Sequence, residues 1–180
     1  LYVGIKFGKD GKNVAMAIAT KTEKNKVFVE AIDCQSLRNG TMWIIQFLKR
    51  ADIAKIAIDG AGGQQTLCDE IKDYGIKIKT ILPKVVDVIT ANSLFEQAIT
   101  SAKSICHNDQ PSLTQVVTNC KRRAIGNAGG FGYAAILEEH EIALVDSVIL
   151  AHWLCASCKK KKRKQRVRSV SYTHLTLPTT

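Results

Sequence analysis

The sequence predicts an α/β fold, a five-stranded mixed sheet in which three antiparallel strands are followed by two parallel ones, with helices on its flanks. Near the N-terminus, three β-rich runs are separated only by short polar turns, which lets consecutive strands pair antiparallel. Beyond residue 40 the apolar residues switch to helical spacing before the next β-branched run, and a helical crossover returns a strand parallel to its neighbour. That run, Lys55–Asp59, ends in a carboxylate and then breaks into Gly60-Ala61-Gly62-Gly63, as a buried strand does at a sheet edge.

In chain order, Tyr2–Phe7 alternates weakly and leads into Gly8-Lys9-Asp10-Gly11-Lys12, a hairpin signal. Asn13–Thr20 and Lys26–Ile32 supply the second and third strands, with the polar turn 21–25 between them. Gly40–Arg50 is apolar at helical spacing through Trp43, Ile44, Phe47 and Leu48 and forms the crossover to Lys55–Asp59. Gln64–Tyr74 reads as a helix stopped by Gly75, Ile76–Leu82 as the fifth strand, and Lys84–Lys103 as a long amphipathic helix. Ser112–Cys120 is a further short helix. The segment from Lys121 to Tyr133, rich in glycine with two aromatics and two arginines, reads either as a mobile loop that admits a phosphate backbone and stacks on a base or as an irregular connection. Glu141–Ala156 is the last helix, with Ile142, Val145, Ile149 and Trp153 on one face.

At 180 residues, 46% hydrophobic and 23% charged, the chain can bury one full core. No run of about 18 apolar residues occurs, so no membrane partner is expected. The six cysteines lie scattered among apolar residues, as buried thiols do in a reducing compartment. The net charge of +10 is uneven: residues 159–168 carry eight basic side chains and no acid, which leaves +2 for the rest. Such a run is either a phosphate-seeking arm or a solvated end. Residues 1–157 are therefore read as one domain and 158–169 as a basic tail. Residues 170–180 resemble the translation of a transposase adapter from sequencing libraries and are set aside. The chain starts inside a strand without an initiating Met, so an upstream part is expected.

Two acids stand out. Asp59 ends the buried strand, where it serves either a simple turn with Gly60 or a chemical site. Asp146 falls within roughly 60° of the centre of the last helix's apolar face, where an unpaired carboxylate is costly unless a partner or a cation compensates it. Glu141, near the start of that helix, is an N-terminal acid or a further ligand. Acids delivered from a central strand and a late helix suit Mg²⁺ or Mn²⁺, since hard cations take oxygen ligands and can activate water for phosphoryl hydrolysis. His152, Cys155 and Cys158 have ligand-like spacing but no fourth partner nearby, so zinc is not expected.

The order of elements together with these acids resembles the ribonuclease-H-like fold. The body of the chain further resembles the C-terminal nuclease domain of a tailed-bacteriophage terminase large subunit. That likeness is carried by Val3-Gly4-Ile5-Lys6-Phe7 with Asp10-Gly11 beyond it, by Ala57-Ile58-Asp59-Gly60, and by Arg122 to Gly132 running into the acid-bearing helix. It implies a metal-dependent endonuclease that cuts concatemeric double-stranded DNA in the cytoplasm of an infected bacterial host. It also implies an ATPase motor domain, a small terminase subunit and a portal as partners. No Gly-x-x-x-x-Gly-Lys-Ser/Thr loop occurs, so the motor is not in this chain. The resemblance gives Asp59, Asp146, Asp10 and Glu141 as catalytic residues, with Asp59, Asp146 and Asp10 on the metal, and Lys6, Lys121, Arg122, Arg123 and Phe131 on DNA. One departure stands in the first strand, where most ribonuclease-H-like nucleases have an acid and this chain has Lys6. A lysine there competes with a metal ion. Either Asp10 replaces the missing acid, or the site holds one metal, or the domain is a catalytically silent module that binds DNA or a packaging partner.

Overall fold

The computed structural model describes residues 1–126, 129–137 and 141–158. Residues 159–169 of the basic tail, the adapter-like segment, Asn127, Ala128, Glu138, Glu139 and His140 lie outside the described residues. The three N-terminal strands are β1 (Tyr2–Phe7), β2 (Asn13–Lys21) and β3 (Val27–Ser36), an antiparallel meander whose register slips once, between Met16 and Ala17. Helix α1 (Met42–Arg50) then crosses over to β4 (Lys55–Asp59), which lies parallel to β1, and α2 (Gln64–Asp73) leads to β5 (Lys79–Ile81), parallel to β4.

The fifth strand is shorter than the sequence suggests, because residues 76–78 leave the ladder and Ile76 and Ile78 pack against the core instead. The sheet also has six strands, not five. After α3 (Val85–Thr100), the two-residue strand β6 (Ile105–Cys106) pairs parallel to β3 and closes the far edge, giving the order β5-β4-β1-β2-β3-β6. Two residues carry no readable periodicity, so only tertiary pairing reveals this strand.

Helix α4 (Pro111–Thr118) follows, and the glycine-rich stretch then departs from both sequence readings. It is neither a loop nor an irregular connection but a separate antiparallel hairpin, β7 (Cys120–Ile125) and β8 (Gly130–Ala135). Most of β7 is exposed, so it lacks the in-out alternation by which strands are recognised. The last helix, α5 (Ala143–Ala156), starts two residues later than expected and leaves Glu141 outside it.

The pleat sorts β1 cleanly. Val3, Ile5 and Phe7 face one core with Val14, Met16, Ile56 and Ile58, and α1 and α2 cover it. The opposite side carries Ala15, Ala17, Ala19, Val29 and Ala31, and α5 lies against it beneath α3 and α4. Those small side chains let the helix approach closely, and Gly4 is where it comes nearest. A Cβ on Gly4 would fall 2.1 Å from the Ser147 carbonyl oxygen and 2.6 Å from the Ala151 nitrogen. Helix α5 is thus buried on nearly all sides, not along one face. Asp146, Trp153 and Ala156 are its only residues that are not buried. Seating α5 across β1 brings its first turn to the C-terminal end of the sheet, beside β4.

Candidate active site

Parallel register puts Lys6 of β1 opposite Asp59 of β4, so the two side chains leave the sheet on the same face. Gly4, two residues before Lys6, lets α5 settle on that face and brings Asp146 over the pair. The Lys6 ammonium lies 2.5 Å from Asp59 Oδ2 and 3.9 Å from Asp146 Oδ2. The three side chains retain 17%, 20% and 25% exposure, low enough to weaken solvent screening and high enough to admit a small ligand. Asp59 and Asp146 therefore converge on one point, and Lys6 Nζ occupies it.

The electrostatics follow from that crowding. Loss of hydration raises the Asp146 carboxyl to about 6; Lys6 opposes the rise, Asp59 adds to it, and Arg123 and Lys9 oppose it more weakly. Lys6 thus acts as an internal counter-ion between two carboxylates.

Asp10 and Glu141 meet elsewhere. Asp10 sits in the β1–β2 turn, where its Oδ1 accepts a 2.9 Å hydrogen bond from the Lys12 backbone N–H. That bond first, and Lys12 and Glu141 after it, hold the Asp10 carboxyl below its usual range. Burial and then the Asp10 charge push Glu141 upward. They line a groove together with Lys6, Lys9, Lys12, Lys121 and Asp146, next to the Asp59 cavity, which neither of them lines. Asp146 stands at the junction of the two.

The hairpin roofs the Asp59 cavity with Arg123, Ile125, Gly132 and Tyr133, while α3 contributes Val88, Ala91 and Asn92. Arg123 is held by its Nε–H donating to the Tyr133 carbonyl at 3.0 Å. Arg122 points the other way, pairing with Glu96 of α3 and lying 4.4 Å over the Phe131 ring. Phe131 in turn packs edge-to-face on Tyr133, and Tyr133 Oη donates to Glu96 at 3.4 Å. Of the five side chains expected on DNA, Lys6 and Arg123 face the acid cavity and Lys121 lines the neighbouring groove. Arg122 and Phe131 fasten the hairpin to α3.

Sequence reasoning missed Lys9, Lys12, Tyr133 and Asn92. The turn lysines offered no signal beyond their charge. Asn92 offered one: a mid-helix amide on the buried stripe with Ala91, Phe95 and Ala98 is as anomalous as Asp146. His152, by contrast, is buried against Phe95 of α3 at 5.5 Å between ring centres, away from both acid pairs, and burial drives it down to about 4.

No protein-family model and no curated protein matches the sequence. Solved structures match the fold. The HK97 bacteriophage large terminase aligns with a TM-score of 0.62 at 13% identity, covering 85% of this chain and 39% of that one. The large terminase nuclease from thermophilic phage G20c with bound magnesium gives 0.55 at 13%, covering 83% and 78%. A variant nuclease domain of the large terminase subunit of bacterial virus Sf6, with manganese and beta-thujaplicinol, gives 0.57 at 13%, covering 88% of each. The chain thus has the ribonuclease-H-like fold of large-terminase nuclease domains, and it spans about two-fifths of the HK97 protein's length.

Proposed function

We propose that this chain is a divalent-metal-dependent endodeoxyribonuclease that cuts concatemeric double-stranded DNA during viral genome packaging. In this reading it works in the cytoplasm of an infected bacterial host, coupled to an ATPase motor domain, with a small terminase subunit and a portal as assembly partners. The observation that supports it most is the meeting of Asp59 and Asp146 around one nitrogen, within a fold otherwise seen in terminase nucleases.

The donor set fits one hard cation. Two carboxylates reach one cavity, yet among the described residues no group of three or more His, Cys, Asp and Glu side chains could hold a metal. Asp59 and Asp146 would hold Mg²⁺ or Mn²⁺, which when bound supplies charge neutralisation at the phosphate and a more acidic water. Lys6 cannot share their oxygens with a second cation, so it must release Asp59, and its freed ammonium becomes a partner for a phosphate oxygen. Arg123 adds a second positive charge on the roof. Lys9, Lys12 and Lys121 line the adjoining groove with the charge a DNA backbone requires. The hairpin wall limits the entry of bulk water, which strengthens each of these contacts.

A second reading rests on Lys6 itself. With its ammonium already between the carboxylates, the domain is a catalytically silent module that holds DNA or a packaging partner. Incubating supercoiled plasmid with the chain and Mn²⁺, beside Asp59→Asn, separates the two. The hydrolase reading expects nicking that falls about a hundredfold or more in the variant. Equal nicking by both proteins, or none by either, supports the silent module.

A further inference from the structure

Asn92 lies mid-way along α3 and is 3% exposed. Burying an amide costs about 1–3 kcal/mol unless its groups are hydrogen-bonded, so both halves need partners. One half has its partner: Nδ2 donates to the Val88 carbonyl at 2.8 Å. That bond fixes the orientation of the amide, because a flipped group would set its oxygen against the carbonyl oxygen. Oδ1 remains, fully buried and with no hydrogen-bond partner among the described residues. Asn92 lines the same cavity as Lys6, Asp59, Arg123 and Asp146.

We propose that Asn92 Oδ1 is a third oxygen ligand of this site, taking a hard divalent cation together with Asp59 and Asp146. An amide carbonyl is an ordinary ligand for such ions. It raises the ligand number without adding negative charge where two carboxylates already repel each other. The neighbouring hairpin passes close to it. Gly132 brings its backbone close enough that a Cβ there would fall 3.6 Å from Asn92 Nδ2 and 2.7 Å from Ile125 Cδ1. A purely structural residue at this position would be better served by an apolar side chain, which leaves no orphaned acceptor.

This role presupposes the metal-dependent site above, and the experiment separates the two. Mn²⁺ binding to the full chain is measured by electron paramagnetic resonance for the parent, Asn92→Leu, Asn92→Asp and Asp59→Asn, with circular dichroism to verify folding. Asn92→Leu is expected to bind Mn²⁺ about tenfold more weakly and Asn92→Asp about tenfold more tightly, since ligand number and charge set affinity. Binding that is lost in Asp59→Asn but unchanged in Asn92→Leu overturns the role of Asn92 alone. An absence of binding in the parent and in Lys6→Met overturns that role and the metal-dependent site together. Should Asn92→Leu fail to fold, unchanged affinity in Asn92→Asp overturns the assignment by itself.

Discussion

The two ends of α5 each carry one titratable side chain withdrawn from full hydration, with opposite surroundings. At the first turn Asp146 is pushed up to about 6 and meets Lys6, Asp59, Arg123 and Asn92 in one cavity. Two turns on, His152 is pushed down to about 4 by burial alone; it rests against Phe95, and its Nδ1 has no partner among the described residues. Both are polar groups on an apolar helix, and the sequence marks both. What separates them is convergence. Asp146 receives groups from β1, β4, α3 and the hairpin, whereas His152 receives a ring edge. A buried ionisable residue points to chemistry when other elements aim charge at it, and otherwise to packing.

The change with the largest expected effect on this contrast is Gly4→Ala, which acts on both ends at once. Its new methyl would meet backbone atoms of α5 at 2.1 and 2.6 Å, which no side-chain rotation relieves. A loss of about 3 kcal/mol or more is expected, read as a fall of roughly 10 °C in the melting midpoint. An unchanged midpoint would mean that α5 is not seated as described.

Acidification probes the dry end. A histidine at about 4 in the fold and about 6.5 when unfolded leaves the unfolded chain binding more protons between those values. Stability from this source is therefore lost as pH falls through that window. The carboxyl of Asp146 acts oppositely, since the folded state binds the extra proton between the ordinary carboxyl value of 3.8 and about 6. The two nearly cancel in the parent chain. His152→Leu removes only the first, so its stability relative to the parent should grow by about 3 kcal/mol between pH 6.5 and 4. Denaturant melts at the two pH values read this directly, and parallel curves would place His152 in contact with water.

The smallest effect belongs to the polar end. Lys6→Met keeps most of the side-chain stem and removes the ammonium between the carboxylates. Mn²⁺ affinity, measured by calorimetry, should rise about tenfold, because the incoming cation no longer competes with a tethered one. A fall in affinity would make Lys6 a support of the site instead of a competitor.

Much of this was legible in the chain. Lys55–Asp59 was readable to the residue, since β-branched density, a terminal acid and a glycine break all agree there. Asp146 was readable as an anomaly on its helix wheel. The shared position of Lys6 and Asp59 was not, because strand register is decided by pairing and not by either strand alone. The hairpin was hidden for a related reason: Lys121, Arg122 and Arg123 are exposed on consecutive positions, and no alternation betrays the pleat. Asn92 was visible in principle, as a neutral polar residue on an otherwise apolar buried stripe.

The alanines of β2 carry a consequence for how the domain tolerates sequence change. Ala15, Ala17 and Ala19 share the core that α5 closes, Ala15 as the strand partner of Lys6, and the height of that helix above the sheet is set partly by their methyls. A single added branch there would lift Asp146 away from Asp59 as surely as a change at either acid. The spacing of the two carboxylates is thus written partly in side chains that never touch a ligand.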